Sequence, residues 1–206
     1  MKAKVGFALV LAAAAILPGC SSGPSTEQKQ APAPPPEPKT GREAFQQMFI
    51  TARTWSPDAT PLDLRSMNLN TVKSGGGKAG AWRGTFVSES HARVKAYTWS
   101  AIEGEGLHEG VFGEPDESWS GPSADAKPFL VAAIKFDSDE AWQTAAAKSA
   151  DYMQKHPGTP ILYILSFSNR FPDTTWRVVW GESVSASTYS VFVDATLGKF
   201  LEKVKD

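Results

Sequence analysis

Three histidines, one cysteine and scattered serines and carboxylates are the side chains of this 206-residue sequence with chemistry to offer. Metal binding and acid–base catalysis both need several such groups to converge. His91, His108 and His156 fall before a strand, in an acidic stretch and at a helix end, and no His-Glu-x-x-His or other close ligand spacing occurs. Ser183, within Gly181-Glu182-Ser183-Val184-Ser185, superficially matches a nucleophile elbow. It lacks the closing glycine, and no strand-to-helix turn is expected there. Ser74-Gly75-Gly76-Gly77-Lys78-Ala79 is rich in glycine like a phosphate loop. The first glycine is absent at the required spacing, as is the Ser or Thr after lysine, so a flexible strand connection is expected. Asp58, Asp63 and Asp194 are isolated near turns, and Asp194 is expected to accept local turn hydrogen bonds. These residues predict no catalytic set, no metal site and no cofactor.

Cys20 points to a different chemistry. Met1-Lys2-Ala3-Lys4 is a cationic start, Val5 to Leu17 is an apolar run, and Leu17-Pro18-Gly19 leads into the cysteine. The run falls short of the roughly 20 apolar residues of a membrane span. Such a pattern predicts a secretory signal peptide over residues 1–19. Leu17-Pro18-Gly19-Cys20 resembles the bacterial lipobox. The resemblance implies cleavage before Cys20 and a diacylglycerol on its sulfur. Each buried methylene contributes about 0.8 kcal/mol, and two or more chains on one residue give stable attachment. Cys20 is the only cysteine, so no disulfide is expected, although exported proteins commonly use them. Ser21 stands after Cys20, where an aspartate would resemble an inner-membrane retention signal. The expected location is the outer membrane, facing the periplasm, if the cell is Gram-negative.

With Cys20, residues 21–40 form a tether, SSGPSTEQKQAPAPPPEPKT. Such a composition buries too little surface to offset chain entropy, and Ala31 to Pro38 favours extended polyproline II. Without Lys2 and Lys4, the chain has 19 basic against 22 acidic side chains. No basic stripe exists of the kind that nucleic-acid binding requires, so no nucleic-acid partner is expected.

The elements that must position any site follow from the remaining residues. Phe45, Met48, Phe49 and Ala52 make a helical stripe between Glu43 and Trp55, and Pro57 stops it. A second helix is predicted from Asp139 to about Gln154, capped by Asp137 or Ser138 and facing inward through Ala141, Trp142, Ala145, Lys148 and Tyr152. Strands are predicted at Leu62–Leu69, Trp82–Ser88 and Val94–Ser100, then at Ile161–Ser168, Trp176–Trp180 and Tyr189–Asp194. Lys199–Val204 is a candidate short edge, and Phe129–Phe136 a candidate extra strand. The two series correspond. Trp82, Arg83, Phe86, Ala101 and Gly104 match Trp176, Arg177, Trp180, Ala195 and Gly198 at one offset of 94 residues. Glu43-Ala44-Phe45 matches Glu140-Ala141-Trp142 at an offset of 97. An internal repeat is therefore expected, with residues 41–104 and 137–206 as its copies. Residues 105–136 would be a solvated acidic connector pinned by Phe112 and Trp119. The predicted fold class is α+β, with each helix covering one face of antiparallel strands.

Asp137-Ser138-Asp139-Glu140-Ala141, the Trp176 strand, and Val193-Asp194-Ala195-Thr196-Leu197-Gly198-Lys199 resemble a PepSY-type module. The first copy keeps Trp82 and Gly104 but has Ser100 where the second has Asp194. The resemblance implies a cystatin-like envelope unit, linked with protein binding and proposed peptidase inhibition, without catalytic residues of its own. The expected function is therefore a membrane-anchored, noncatalytic protein that binds an envelope protein or peptide, with modulation of a peptidase as one form. The alternative is a carrier of a small apolar ligand or lipid in an aromatic cleft. Trp82, Trp176 and Trp180 are its candidate lining, although their recurrence at repeat positions points first to core packing. Arg83 and Arg177 are expected on the opposite side of the same strands, as exposed edge charges.

Overall fold

The computed structural model describes residues 35–205. The signal peptide, the lipobox residues Leu17, Pro18 and Gly19, Cys20 and the tether as far as residue 34 lie outside the described residues. A short strand β1 (Lys39–Thr40) leads into helix α1 (Gly41–Trp55). Thr40 caps the helix and Glu43 reaches back to the cap, satisfying two of the amides that a helix start leaves free. Ala44, Phe45, Met48 and Ala52 form its buried stripe. Strands β2 (Thr60–Met67), β3 (Lys78–Ala79), β4 (Ala81–Ser88), β5 (Arg93–Ser100), β6 (Gly110–Gly113) and β7 (Glu117–Ser118) follow. Helix α2 (Ser138–Lys155) has its own capping box, formed by Asp137 and Glu140. It is followed by β8 (Ile161–Ser166), β9 (Thr175–Trp180), β10 (Tyr189–Asp194) and β11 (Phe200–Lys205).

Nine strands form one antiparallel sheet in the order β11-β10-β9-β8-β2-β4-β5-β6, with β7 also paired to β5. Two four-strand meanders therefore lie side by side, joined where β2 meets β8. Leu64 pairs with Leu165 at that junction, flanked by Asp63 with Ser166 and Arg65 with Ile164. Equivalent bonds recur in the two meanders. The Trp82 indole N–H donates to the Lys39 carbonyl, one residue before the α1 cap, at 3.0 Å. The Trp176 indole donates to Phe136, one residue before the α2 cap, at 2.9 Å. The Ala101 amide donates to Gly80 at 2.8 Å, and the Ala195 amide to Thr174 at 3.0 Å.

The helix starts meet over the junction. Gly41 N–H donates to Ser138 Oγ at 2.7 Å, and Arg42 N–H to Asp137 Oδ1 at 2.8 Å. Asp137 thus places its carboxylate at both helix N-termini, where the backbone dipoles favour negative charge. A side chain at position 41 would collide with the Trp176 ring at 2.5 Å, which makes glycine necessary there. Below, the Trp82 and Trp176 rings meet edge to face at 6.4 Å between centroids. One continuous core runs through both halves, from Phe45, Met48 and Phe86 to Leu165, Val178 and Trp180.

Several expectations need correction. Phe129–Phe136 adds no strand. It holds a 3-10 turn, Val131–Ala133, because its amides bond singly to Pro61, Ala195 and its own turn instead of running along a ladder. Residues 105–136 are not a connector throughout. β6 and β7 fall in this stretch, and Arg83 pairs with Glu114 and Arg93 with Asp116, both at 2.8 Å. Opposite charges thus tie the acidic segment to the sheet, and a boundary at residue 104 falls too early. Phe112 does not pin this segment, being exposed while Val111 packs on the core. On α2, Lys148 is exposed and Ser149 is the buried residue of that turn.

Trp82 and Trp176 have no solvent exposure. Replacing either with alanine is expected to cost about 3–5 kcal/mol, since the ring's contacts and one part-buried hydrogen bond are both lost. Urea unfolding of the two variants measures this, and a loss below ~1 kcal/mol contradicts a structural role.

Candidate functional site

Trp82, Trp176 and Trp180 fill the core, and none of them lines the clefts of about 420, 330 and 400 Å³ among the described residues. Trp180 is enclosed by Trp142, Tyr152 and Tyr189, with ring centroids at 5.8, 6.3 and 5.2 Å. Arg83 and Arg177 lie on the opposite side of the same strands, as their alternation requires. They are half-buried and engaged: Arg83 with both oxygens of Glu114, Arg177 with Ser190 Oγ at 3.1 Å. Asp194 accepts from the amides of Thr196 and Leu197 at 2.7 and 2.9 Å, as a turn aspartate does. Ser183 bonds within its own turn to Ser185 and the Ala186 amide. The glycine-rich stretch is a pinned connection. Gly77 N–H donates to Tyr163 Oη at 2.9 Å, and its carbonyl accepts from Ser138 Oγ. Burial pushes the Tyr163 phenol up to about 12.

One grouping of serine, histidine and aspartate was invisible in the sequence. Asp58 Oδ1 accepts from Ser56 Oγ at 2.6 Å and Ser88 Oγ at 2.7 Å. His91 Nδ1 lies 3.2 and 3.1 Å from the same two hydroxyls. Activation of serine needs a base that takes the hydroxyl proton while a carboxylate orients that base from behind. Here the carboxylate lies closer to both hydroxyls than the imidazole does, and His91 Nδ1 donates or accepts according to its tautomer. Both serines are fully buried. The cluster fastens the end of α1 to the turn between β4 and β5. Only Ser56-x-Asp58 at a helix end hinted at it; Ser88 and His91 arrive by folding. The serine hydroxyls and the Ser90 amide hold the Asp58 carboxyl well below its ordinary range.

A different region combines a sheet border with a cleft. The sheet ends on one side at β6 and β7, four and two residues long, and on the other at β11, six residues long. Beside β11 a cleft of about 420 Å³ opens against the last turns of α2. Lys148, Lys155, Lys203 and Lys205 surround it, with His156 and a single carboxylate, Asp151. Tyr152 and Tyr189, stacked with centroids 4.0 Å apart, form part of its wall. No ion pair among the described residues involves any of these four lysines. A second cleft, about 330 Å³, lies on the other sheet face, where Arg65 pairs with Asp63 and Arg170 with Glu202. The cleft beside β11 thus gathers four lysines and a histidine around one carboxylate.

No family model matches the chain, and no curated protein matches it. A solved structure is similar: a protein from Clostridium difficile 630 (CD1622) that bears a provisional lipoprotein designation. It superposes with a TM-score of 0.52 at 12% identity, over 82% of this chain and 95% of that one. At this identity the likeness is one of fold: α+β, with two helices against a large antiparallel sheet.

The Asp58 cluster has a pH signature. A carboxylate whose folded pKa is depressed stabilises the fold fully above its ordinary value, 3.8, and progressively less as pH falls toward the folded one. Asp58→Asn is expected to lower the urea midpoint at neutral pH. Its gap from the wild type should narrow below pH ~4. A gap that stays constant across the acid range contradicts this account.

Proposed function

We propose that this chain is a lipid-anchored, noncatalytic binding protein of the bacterial cell envelope, which takes up an extended protein or peptide segment along β11. The observation that carries the reading is the position of β11: a six-residue strand at the end of the sheet, with no strand on its outer side among the described residues. An edge strand presents unpaired N–H and C=O groups, so an incoming segment gains a ladder of hydrogen bonds without any rearrangement of the fold.

Three further points support it. The Cys20 lipobox would place the acyl chains in the membrane and the tether would hold the domain away from it, facing the periplasm in a Gram-negative cell. The Clostridium difficile protein of similar fold bears a lipoprotein designation. The two helix-plus-meander units, with their matched tryptophan bonds and capping boxes, fit duplicated PepSY-like modules, and modules of that type are linked with binding and with restraint of peptidases. The carrier reading has no comparable support, because its three tryptophans are enclosed.

Hydrogen exchange tests the reading. A displayed random peptide library is selected on the mature protein, and amide exchange is followed with and without a selected peptide. Slowed exchange across Phe200–Lys205 is expected. Peptides that bind and leave those amides unprotected contradict it, as does peptide turnover abolished by one side-chain replacement.

A further inference from the structure

We infer that the segment accepted by β11 is acidic, with an acidic–apolar–acidic alternation matched to Lys203, Val204 and Lys205; this rests on the edge reading above. Cross-strand partners share a sheet face. Lys205 pairs with Tyr189 and Lys203 with Val191, and both partners belong to the core under α2. The two lysines therefore point to the helix side of the sheet. A bulge makes this so. Val193 pairs with Phe200 while Phe192 pairs with Glu202, so Leu201 is an extra residue in β11. Without it, Phe200 and Lys203 would stand on opposite faces.

Lys148 and Lys155 add their charge from α2. They lie seven positions apart, two helical turns, and so share one flank. Between helix and strand lies the cleft of about 420 Å³, in which Asp151 is the single carboxylate. A strand laid along β11 puts every second side chain on this face, at ~7 Å intervals. Two acidic residues at that spacing would stand opposite Lys203 and Lys205. The residue between them would meet Val204 on the other face. Lysines on an edge also oppose self-pairing, because a second copy brings like charge to like. The same charges that keep the edge free thus select an acidic occupant.

The test uses the mature full-length protein in detergent micelles and fluorescein-labelled peptides read by anisotropy. One peptide has a Thr-Glu-Val-Glu-Thr centre, one the same residues with the two glutamates adjacent, and one a neutral Thr-Thr-Val-Thr-Thr centre. The alternating peptide is expected to bind best and to protect the β11 amides. Lys203→Glu with Lys205→Glu should weaken it by about tenfold or more, as two attractive cross-strand pairs become repulsive. Lys203→Arg with Lys205→Arg should retain binding, which controls for folding. Equal binding of the adjacent-glutamate or the neutral peptide, with β11 protected, overturns the acidic pattern and leaves the edge reading standing. Binding that protects no β11 amide, or no binding by any peptide, overturns both.

Discussion

The pairing of β2 with β8 decides what the rest of the molecule can be. Three residue pairs join the two meanders, and their antiparallel sense sets the two halves head to tail about the Leu64–Leu165 contact. Had these strands remained edges, each half would expose a hydrophobic border that a small sheet cannot leave uncovered. Joined, they enclose Trp82, Tyr163 and Trp176 between the sheet and two helix starts. Burial of a side chain as large as leucine contributes about 1.5–3 kcal/mol, and both central leucines are buried. Asp137 repeats the joint in the helix layer, accepting from Arg42 at the start of α1 and from Ser138 at the start of α2.

This constraint also decides which strands are left as borders. The sheet has two outer borders once its centre is closed. The β6 and β7 border is short, glycine-bounded and held by Glu114 and Asp116 to arginines of the sheet. The β11 border is longer and carries lysines that meet no carboxylate among the described residues. Acidic charge was visible in the sequence on one side of the molecule. Its basic counterpart was not, because Lys148, Lys155, Lys203 and Lys205 are dispersed along the chain and converge only through helix period and strand register.

Local signals were legible and long-range ones were not. Asp137 with Glu140, and Thr40 with Glu43, place helix starts from neighbouring residues alone. The branched and aromatic run Tyr189–Asp194 is a strand with those same bounds. Nothing near Leu64 announces Leu165, since every strand in the interior carries similar residues. β6 was hidden because Gly110-Val111-Phe112-Gly113 is too short to show alternation, and its neighbours are acidic. The Leu201 bulge, which turns the lysines of β11 toward the cleft, depends on how β10 presents Phe192 and Val193. The alternation of Lys203 and Lys205 was present in the sequence; the face they occupy was set by the partner strand.

The central claim is that both halves fold as one body around a shared core, which leaves the sheet two outer borders. Scanning calorimetry of the mature protein tests it most directly. A single unfolding transition is predicted, with calorimetric and van't Hoff enthalpies equal, as for one cooperative unit. Two resolved transitions, one following Trp82→Ala and the other Trp176→Ala, would contradict it.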